Sequence, residues 1–472
     1  MLPRRPIRML AAATVAALLA GCTTPAPPPE PAGSHDVGIQ LFQWNWNSIA
    51  RECTDVLGPE GISWVLTSPP NEHILGRAWW TSYQPVSYRI ESRLGTRAEF
   101  ATMTATCAKE GVAIIADAVI NHMTGQENPG IGWAGSPYRH YDYPGIYGPG
   151  DFHHCTQSPT GDIIDYRDAA EVQSCELVNL ADLDTASPTV QDTIVAYLDD
   201  LLSLGVAGFR IDAAKHIPPA DIASIVDRLP EGTRILQEVI RGQGEPITPE
   251  QYEGNGEVFE FGFARDLKSM IESATLNQGM TFGPEFGYLP SEKAVVFVDN
   301  HDTERNGETL SYRDGANYLL ANVFQLAQPY GTPVLYSGYR FESADAGPPQ
   351  GDDGHVLDAE CDAAGSRAGD WTCLQRDSVI RAMLAWRSAV GTDPVVDEWS
   401  DAWSFAFGRG GRGFVVLNAG EDDLARTFAT SLAPGRYTDA VSGDFVTVTA
   451  DGSFTAAVPA HSALAISVAA VP

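Results

Sequence analysis

The chain has 472 residues, 44% apolar and 19% charged, a globular composition with enough length for two or three domains. Asp and Glu number 61 against 30 Lys and Arg, a formal charge of −31. Such a surface repels nucleic-acid phosphates and anionic membranes, suits a neutral or cationic substrate, and also serves plain solubility.

Residues 1–21 read as an export signal. MLPRRPIRML is basic, AAATVAALLA is apolar but too short to span a bilayer, and Leu19-Ala20-Gly21-Cys22 has the form of a bacterial lipobox. Cleavage there leaves Cys22 as a lipidated first residue, and residues 22–35, rich in Pro, form a semi-rigid tether. The expected location is outside the cytoplasm, as a surface lipoprotein or a secreted protein, touching a membrane only through Cys22. Setting Cys22 aside, Cys53, Cys107, Cys155, Cys175, Cys361 and Cys373 remain. An even count in an exported protein implies disulfides, and six cysteines allow fifteen pairings. No CxxC is present, which speaks against a zinc or thioredoxin-like site.

Eight apolar runs of strand length follow: VGIQLF (37–42), ISWVLT (62–67), VAIIADAV (112–119), AGFRID (207–212), RILQEV (234–239), EVFEF (257–261), AVVFVD (294–299) and TPVLYS (332–337). EVFEF is the weakest. Helix-like segments lie between several of them; in TVQDTIVAYLDDLLSLG (189–205), Ile194, Val195, Leu198, Leu201 and Leu202 recur at helical spacing. Buried strands alternating with helices predict a parallel sheet, and eight of them predict an α/β fold of (β/α)₈ barrel type over 36–385. Roughly seventy residues rich in Gly, Pro, Tyr and His interrupt the alternation after the third strand, too long for a bare loop. They predict an inserted subdomain at about 122–177, pinned by Cys155 and Cys175. From 386 to 472 the pattern turns to alternating strands with Gly-containing turns, an antiparallel β-sandwich.

Catalytic groups of such barrels sit at the C-terminal strand ends, which here carry Asp117, Asp212, Glu238 and Asp299–Asp302. In AGFRID, alternation sends Phe209 and Ile211 towards the helices and Arg210 with Asp212 towards the barrel mouth. The neighbouring cation is expected to lower the pKa of Asp212 and keep it ionised, while apolar surroundings raise that of Glu238. Two carboxyls in unlike environments are the pair that glycoside hydrolysis needs.

DAVINH (117–122), GFRIDAAKH (208–216), QEVI (237–240) and FVDNHD (297–302) resemble, in order and placement, the four signature stretches of the α-amylase family, glycoside hydrolase family 13. AWWTSYQPVSYRI (78–90) and CELVNLADLDTASPTVQ (175–191) resemble its animal-like and actinobacterial branch, and the likeness covers about 36–470. It implies an inserted B domain, a C-terminal β-domain and retaining endo-hydrolysis of α-1,4-glucosidic bonds in starch, glycogen and maltooligosaccharides by a monomer. Related readings are an exo-acting maltooligosaccharide-forming amylase, a transglycosylase, and a non-catalytic glucan-binding lipoprotein. The resemblance assigns Asp212 as nucleophile, Glu238 as general acid/base and Asp302 as the third carboxylate, with Arg210 orienting Asp212. It places His122, His301, Lys215 and His216 on sugar hydroxyls, and Trp79, Trp80, Tyr83 and Gln84 along the cleft, where flat ring faces suit glucose. It implies a structural Ca²⁺ held by Asn121, Gln173, Asp182 and the His216 carbonyl. A chloride site would use Arg210 and Asn300, but its third position falls on Val334, so activity without chloride is expected. The implied disulfides are Cys53–Cys107, Cys155–Cys175 and Cys361–Cys373.

Overall fold

The computed structural model describes residues 37–361 and 370–468; the export signal, the tether and Cys22 lie outside them. Each of the eight apolar runs contains one strand of a closed barrel: β1 (Gly38–Leu41), β2 (Trp64–Thr67), β3 (Ala113–Ala118), β4 (Gly208–Ile211), β5 (Arg234–Gln237), β6 (Glu257–Phe259), β7 (Ala294–Phe297) and β8 (Thr332–Ser337). Neighbours pair in parallel in chain order, and β8 closes on β1 with Gly38 opposite Val334. The short EVFEF run is a strand because Val258 and Phe259 fill the gap between β5 and β7.

Alternation sorts the side chains as expected. Phe209 and Ile211 join the large apolar layer between barrel and helices. Trp64, Leu66, Ile115, Leu236, Phe259, Phe297 and Val334 pack inside the barrel. A Cβ on Gly38 would fall 2.1 Å from the Trp64 ring, so the tryptophan occupies the space that a side chain would need. Helix α1 (Arg97–Lys109) begins with a Thr96–Glu99 capping box, and helix α2 (Pro188–Ser203) buries Ile194, Val195, Leu198 and Leu201.

All three disulfides implied by the resemblance are present. Cys53–Cys107 ties the segment between β1 and β2 to α1, Cys155–Cys175 closes the insertion, and Cys361–Cys373 closes the loop after β8. The insertion has little regular structure: a two-residue ribbon (Gly130–Ile131 with Pro137–Tyr138) and a helical turn at Ala169–Val172. Buried Glu72 pins that ribbon, accepting the backbone N–H groups of Ala134 at 2.8 Å and Ser136 at 3.1 Å and the hydroxyl of Ser87.

The expected domain boundary at 385/386 falls inside a helix, Ser378–Val390, and the C-terminal strands begin at Val395. Strands β9 (Val395–Ser400), β10 (Ser404–Arg409), β11 (Gly413–Asn418) and β16 (Ser462–Ser467) form one antiparallel sheet. Ribbons β12 (Leu424–Ala429) with β15 (Ser453–Val458), and β13 (Gly435–Thr438) with β14 (Phe445–Val448), lie against it. Phe414, Val416, Phe428, Phe454 and Ile466 fill the layer between, which makes a sandwich.

Candidate active site

A cleft of about 650 Å³ opens at the C-terminal ends of the barrel strands. Asp212, Glu238, Asp302, Trp79, Trp80, Tyr83, Gln84, His122, Lys215, His216 and His301 all line it, so the residues picked from the sequence converge on one place. Arg210 lies beneath the floor, 3% exposed.

Arg210 organises the floor. Its Nη1 donates to Asp117 Oδ1 at 2.8 Å and to Asp212 Oδ1 at 2.6 Å. Its Nη2 lies 2.5 Å from Glu238 Oε1 as an ion pair, without hydrogen-bond alignment. Tyr83 donates its hydroxyl to Asp117 Oδ2 at 2.9 Å. The chain reaches Glu238 by a local device: Ala213 adopts a left-handed backbone (φ 49°), and its N–H then donates to Glu238 Oε2 at 2.9 Å.

The expectation that Arg210 would hold the Asp212 pKa down is corrected here. Burial is the largest influence and pushes the carboxyl up, with Asp302 adding to the rise; the charge and hydrogen bond of Arg210 oppose it without overcoming it. Glu238 is raised as expected, first by burial and then by Asp212 and Asp302, against Arg210. Asp117, wholly buried, is pushed up to about 7. Asp302 is raised by burial too, but 37% of its side chain is exposed, so water moderates the effect. Burial thus raises all four carboxyls of the cluster together, and they titrate as a coupled set.

The histidines are fixed and neutral. His301 is sandwiched between Phe42 at 4.7 Å and Tyr83 at 5.1 Å. Gln40 Nε2 donates to His301 Nδ1 at 3.2 Å, which leaves Nε2–H, 3.5 Å from Asp302 Oδ2, as the donor. Burial lowers the His301 pKa well below its usual value. His216 donates Nδ1–H to the Val172 carbonyl, leaving Nε2 as an acceptor. His122 Nε2 lies 3.0 Å from the Tyr83 carbonyl.

Some cleft residues also make contacts within the protein. His301 stacks on one face of Tyr83, which still lines the cleft. Gln84 Oε1 accepts from Thr124 Oγ1 and the Gly125 N–H, anchoring the start of the insertion. Lys215 Nζ donates to the Ile240 carbonyl at 2.8 Å and to Glu245, and lies 5.3 Å over the Tyr166 ring. It therefore links the loop after β5 to the insertion. Sequence reasoning missed Glu245, Tyr166 and the wall Leu177–Val178–Leu180. Val178 is 77% exposed with φ 46°, a strained conformation for a β-branched residue.

Among the described residues no group of three His, Cys, Asp or Glu side chains forms a metal cluster. The residues proposed for Ca²⁺ form a different kind of set. Asn121 Nδ2 is 3.4 Å from Asp182 Oδ1, and an amide rotation puts its oxygen in that place. Asp182 is buried, its carboxyl pushed up to about 6 by burial, with His153 as its near partner. The Gln173 side chain turns away to the Tyr252 hydroxyl, leaving only its carbonyl for a cation. An amide, a carboxylate and backbone carbonyls are hard oxygens, which fit calcium. Asn300 uses Oδ1 to cap the N–H groups of Asp302 and Thr303, and Val334 is 3% exposed inside the barrel.

Comparison with known proteins agrees with this geometry. The family model described as the α-amylase catalytic domain matches residues 65–253, and the α-amylase C-terminal all-beta domain matches 399–469. An α-amylase of Streptomyces violaceus is 47% identical over 440 residues, 93% of this chain and 75% of that protein. One of Tenebrio molitor is 41% identical over 426 residues, 86% of this chain and 89% of that protein. The crystal structure of α-amylase I from Eisenia fetida superposes with a TM-score of 0.87 at 34% identity, covering 92% of this chain and 97% of that one. With a closed eight-stranded barrel, a carboxylate-lined cleft at its mouth and relatives of this closeness, the chain belongs to the α-amylase family of glycoside hydrolases.

Proposed function

We propose that the protein is an α-amylase that hydrolyses internal α-1,4-glucosidic bonds of starch, glycogen and maltooligosaccharides with retention at the anomeric carbon. The observation that carries this reading is that Asp212 and Glu238 share one guanidinium, through contacts of 2.6 and 2.5 Å. One cation holding both carboxyls side by side suits the close spacing of a retaining pair. Asp212 attacks the anomeric carbon and forms a glycosyl-enzyme while Glu238 gives its proton to the departing oxygen. Glu238, now a carboxylate, takes a proton from the water that releases the sugar. Asp302 and the His301 Nε2–H stand on the same cleft wall, where they bind ring hydroxyls and favour the oxocarbenium-like transition state. An open cleft lined by aromatic side chains suits a polymer that enters sideways, and a neutral glucan suits a strongly acidic chain.

Asn121, Asp182 and the carbonyls of Gln173 and His216 would hold a structural Ca²⁺. When bound, the ion supplies cross-linking between the insertion and the loop carrying Lys215 and His216, not chemistry at the scissile bond. Export as a lipoprotein through Cys22, or as a secreted enzyme, is supported by the N-terminal pattern and is consistent with three disulfides. The test of the reaction is digestion of soluble starch followed by NMR of the nascent ends. The α-anomer is expected first; a β-anomer appearing first overturns retention, and binding without release of reducing ends overturns catalysis.

A further inference from the structure

Arg305 lies three positions beyond Asp302, on the helical turn Thr303–Asn306, with 4% of its side chain exposed. Its guanidinium sits 4.4 Å from the ring centre of Phe341, 5.1 Å from Phe42, 5.2 Å from Trp79 and 5.3 Å from Tyr339. Nη1 donates to the His301 carbonyl at 2.6 Å and to the Glu304 carboxylate. Nε and Nη2 are buried with no hydrogen-bond partner, so aromatic faces and Glu304 are what offset the charge.

The rings come from three other parts of the barrel mouth. Phe42 follows β1, Trp79 belongs to the loop after β2, and Tyr339 and Phe341 follow β8. Two of them also touch the site: Trp79 lines the cleft, and Phe42 stacks on His301. We propose that Arg305 is a positioning residue for the reaction, holding the His301–Asp302 turn and the Trp79 wall as one unit from inside its aromatic cage. This rests on the reading of Asp302 as an essential carboxylate. An apolar side chain could fill the cage, but it could neither bond the His301 carbonyl nor place a cation behind Asp302. Arg305 and Arg210 both draw the Asp302 carboxyl down against burial, while Glu308 raises it. Asp212 and Glu238 share the cleft with Asp302, His301 lies beside it, Glu304, Tyr336 and Tyr339 face Arg305, and Asp299 and Arg313 act on Glu304 behind it.

Arg305→Met keeps the cage filled and removes the charge; Arg305→Lys keeps the charge and loses the planar fork. With folding checked by near-ultraviolet circular dichroism, Arg305→Met is expected to lower kcat on soluble starch by about tenfold or more, with KM changed far less. The acid limb of its pH profile moves to higher pH, because Asp302 loses a cation. Arg305→Lys returns the limb to its place and recovers only part of kcat. Wild-type kcat and pH profile in folded Arg305→Met overturn the proposal. If Arg305→Met does not fold, Phe341→Leu opens the cage from the ring nearest the guanidinium; a lower kcat with the acid limb in place supports the proposal, and an unchanged kcat overturns it. Asp302→Asn separates the two readings. If it is inactive while Arg305→Met behaves as wild type, only the positioning role fails; if it is active, the reading of Asp302 fails with it.

Discussion

Arg210 Nη1 stands 2.6 Å from Asp212 Oδ1, two positions further along the chain at the end of β4. The same guanidinium reaches Asp117 and Glu238, so one cation holds three buried carboxyls. A charge at the end of an apolar strand is tolerable here because every charge has a partner, while burial raises the carboxyls against the pull of Arg210.

Replacing Arg210 should therefore damage fold and chemistry together. Arg210→Lys offers a point charge where a planar fork spans three partners, and a fall in kcat/KM of about a hundredfold or more is expected. Arg210→Met leaves three buried carboxyls without a cation and is expected to lose on the order of 3–5 kcal/mol of stability. Starch kinetics and calorimetry of the two variants check this; a lysine variant within threefold of wild type would contradict the shared-cation picture.

Glu238 acts twice in the proposed cycle, as acid and then as base. Glu238→Gln is expected to slow starch hydrolysis by about 10²–10⁴-fold. With an aryl maltooligosaccharide, whose leaving group needs no proton, the first step persists and the second does not. A burst of phenol and a glycosyl adduct on Asp212, seen by intact-protein mass spectrometry, are the expected outcomes. The absence of any adduct would argue against Asp212 as nucleophile.

Glu304 gives a pH dependence of stability whose sign is fixed by its environment. Burial raises its carboxyl from 4.5 to about 7, against the opposing pull of Arg305 and a hydrogen bond from Tyr336. The folded state then binds the proton more tightly than the unfolded chain, so this contribution is full below pH 4.5 and is lost as pH rises through about 7. The stability of wild type relative to Glu304→Gln should shrink between pH 5 and pH 8 by on the order of 1–3 kcal/mol. Urea titrations at the two pH values measure it, and a pH-independent difference would refute the assignment.

The fold was legible because period-2 apolar runs and helical spacing survive in single segments. Even the short run at Glu257–Phe259 is a strand, placed by its neighbours. The residues at strand ends were legible for the same reason: the barrel's geometry converts sequence position into a place in the cleft. What stayed hidden depends on contacts between distant segments. Nothing local in GFRID shows how deeply Asp212 is buried, and burial outweighs Arg210 in setting the direction of its pKa. Nothing near Arg305 shows that Phe42 and Phe341 close over it. Lys215 lines the cleft as expected, but its partner Glu245, thirty positions away, was not visible in the sequence.

Calcium should matter to the insertion more than to the chemistry. Asn121 and Asp182 flank the entry to and exit from the inserted segment, and His216 follows β4. Chelation is expected to lower Tm, with Ca²⁺ restoring it and Mg²⁺ doing so poorly, since the larger ion tolerates irregular oxygen sets. A ligand at a thousandfold its Kd contributes about 4 kcal/mol. Asp182→Asn should remove most of the Ca²⁺-dependent shift; a Tm indifferent to chelation and to this substitution would exclude the site.

Chloride should not activate this enzyme. The surroundings of Arg210 are already rich in negative charge, with Asp117, Asp212 and Glu238 in direct contact. An anion added there would meet three carboxyls and one cation. Asn300, a second expected ligand, uses Oδ1 to cap Asp302 and Thr303, and its amide N–H alone does not offset the three carboxyls. At the third position Val334 offers only methyl groups, packed inside the barrel with Leu66, Phe259 and Phe297. Activity measured at fixed ionic strength, with chloride exchanged for acetate, should change by less than twofold, against the tenfold that 1.4 kcal/mol of transition-state stabilisation would give. Val334→Arg is expected to destabilise the barrel by burying an unpaired charge among apolar side chains, not to create an anion site. A several-fold activation of the wild-type enzyme by chloride would show that Arg210 holds an anion in spite of its three carboxyl partners.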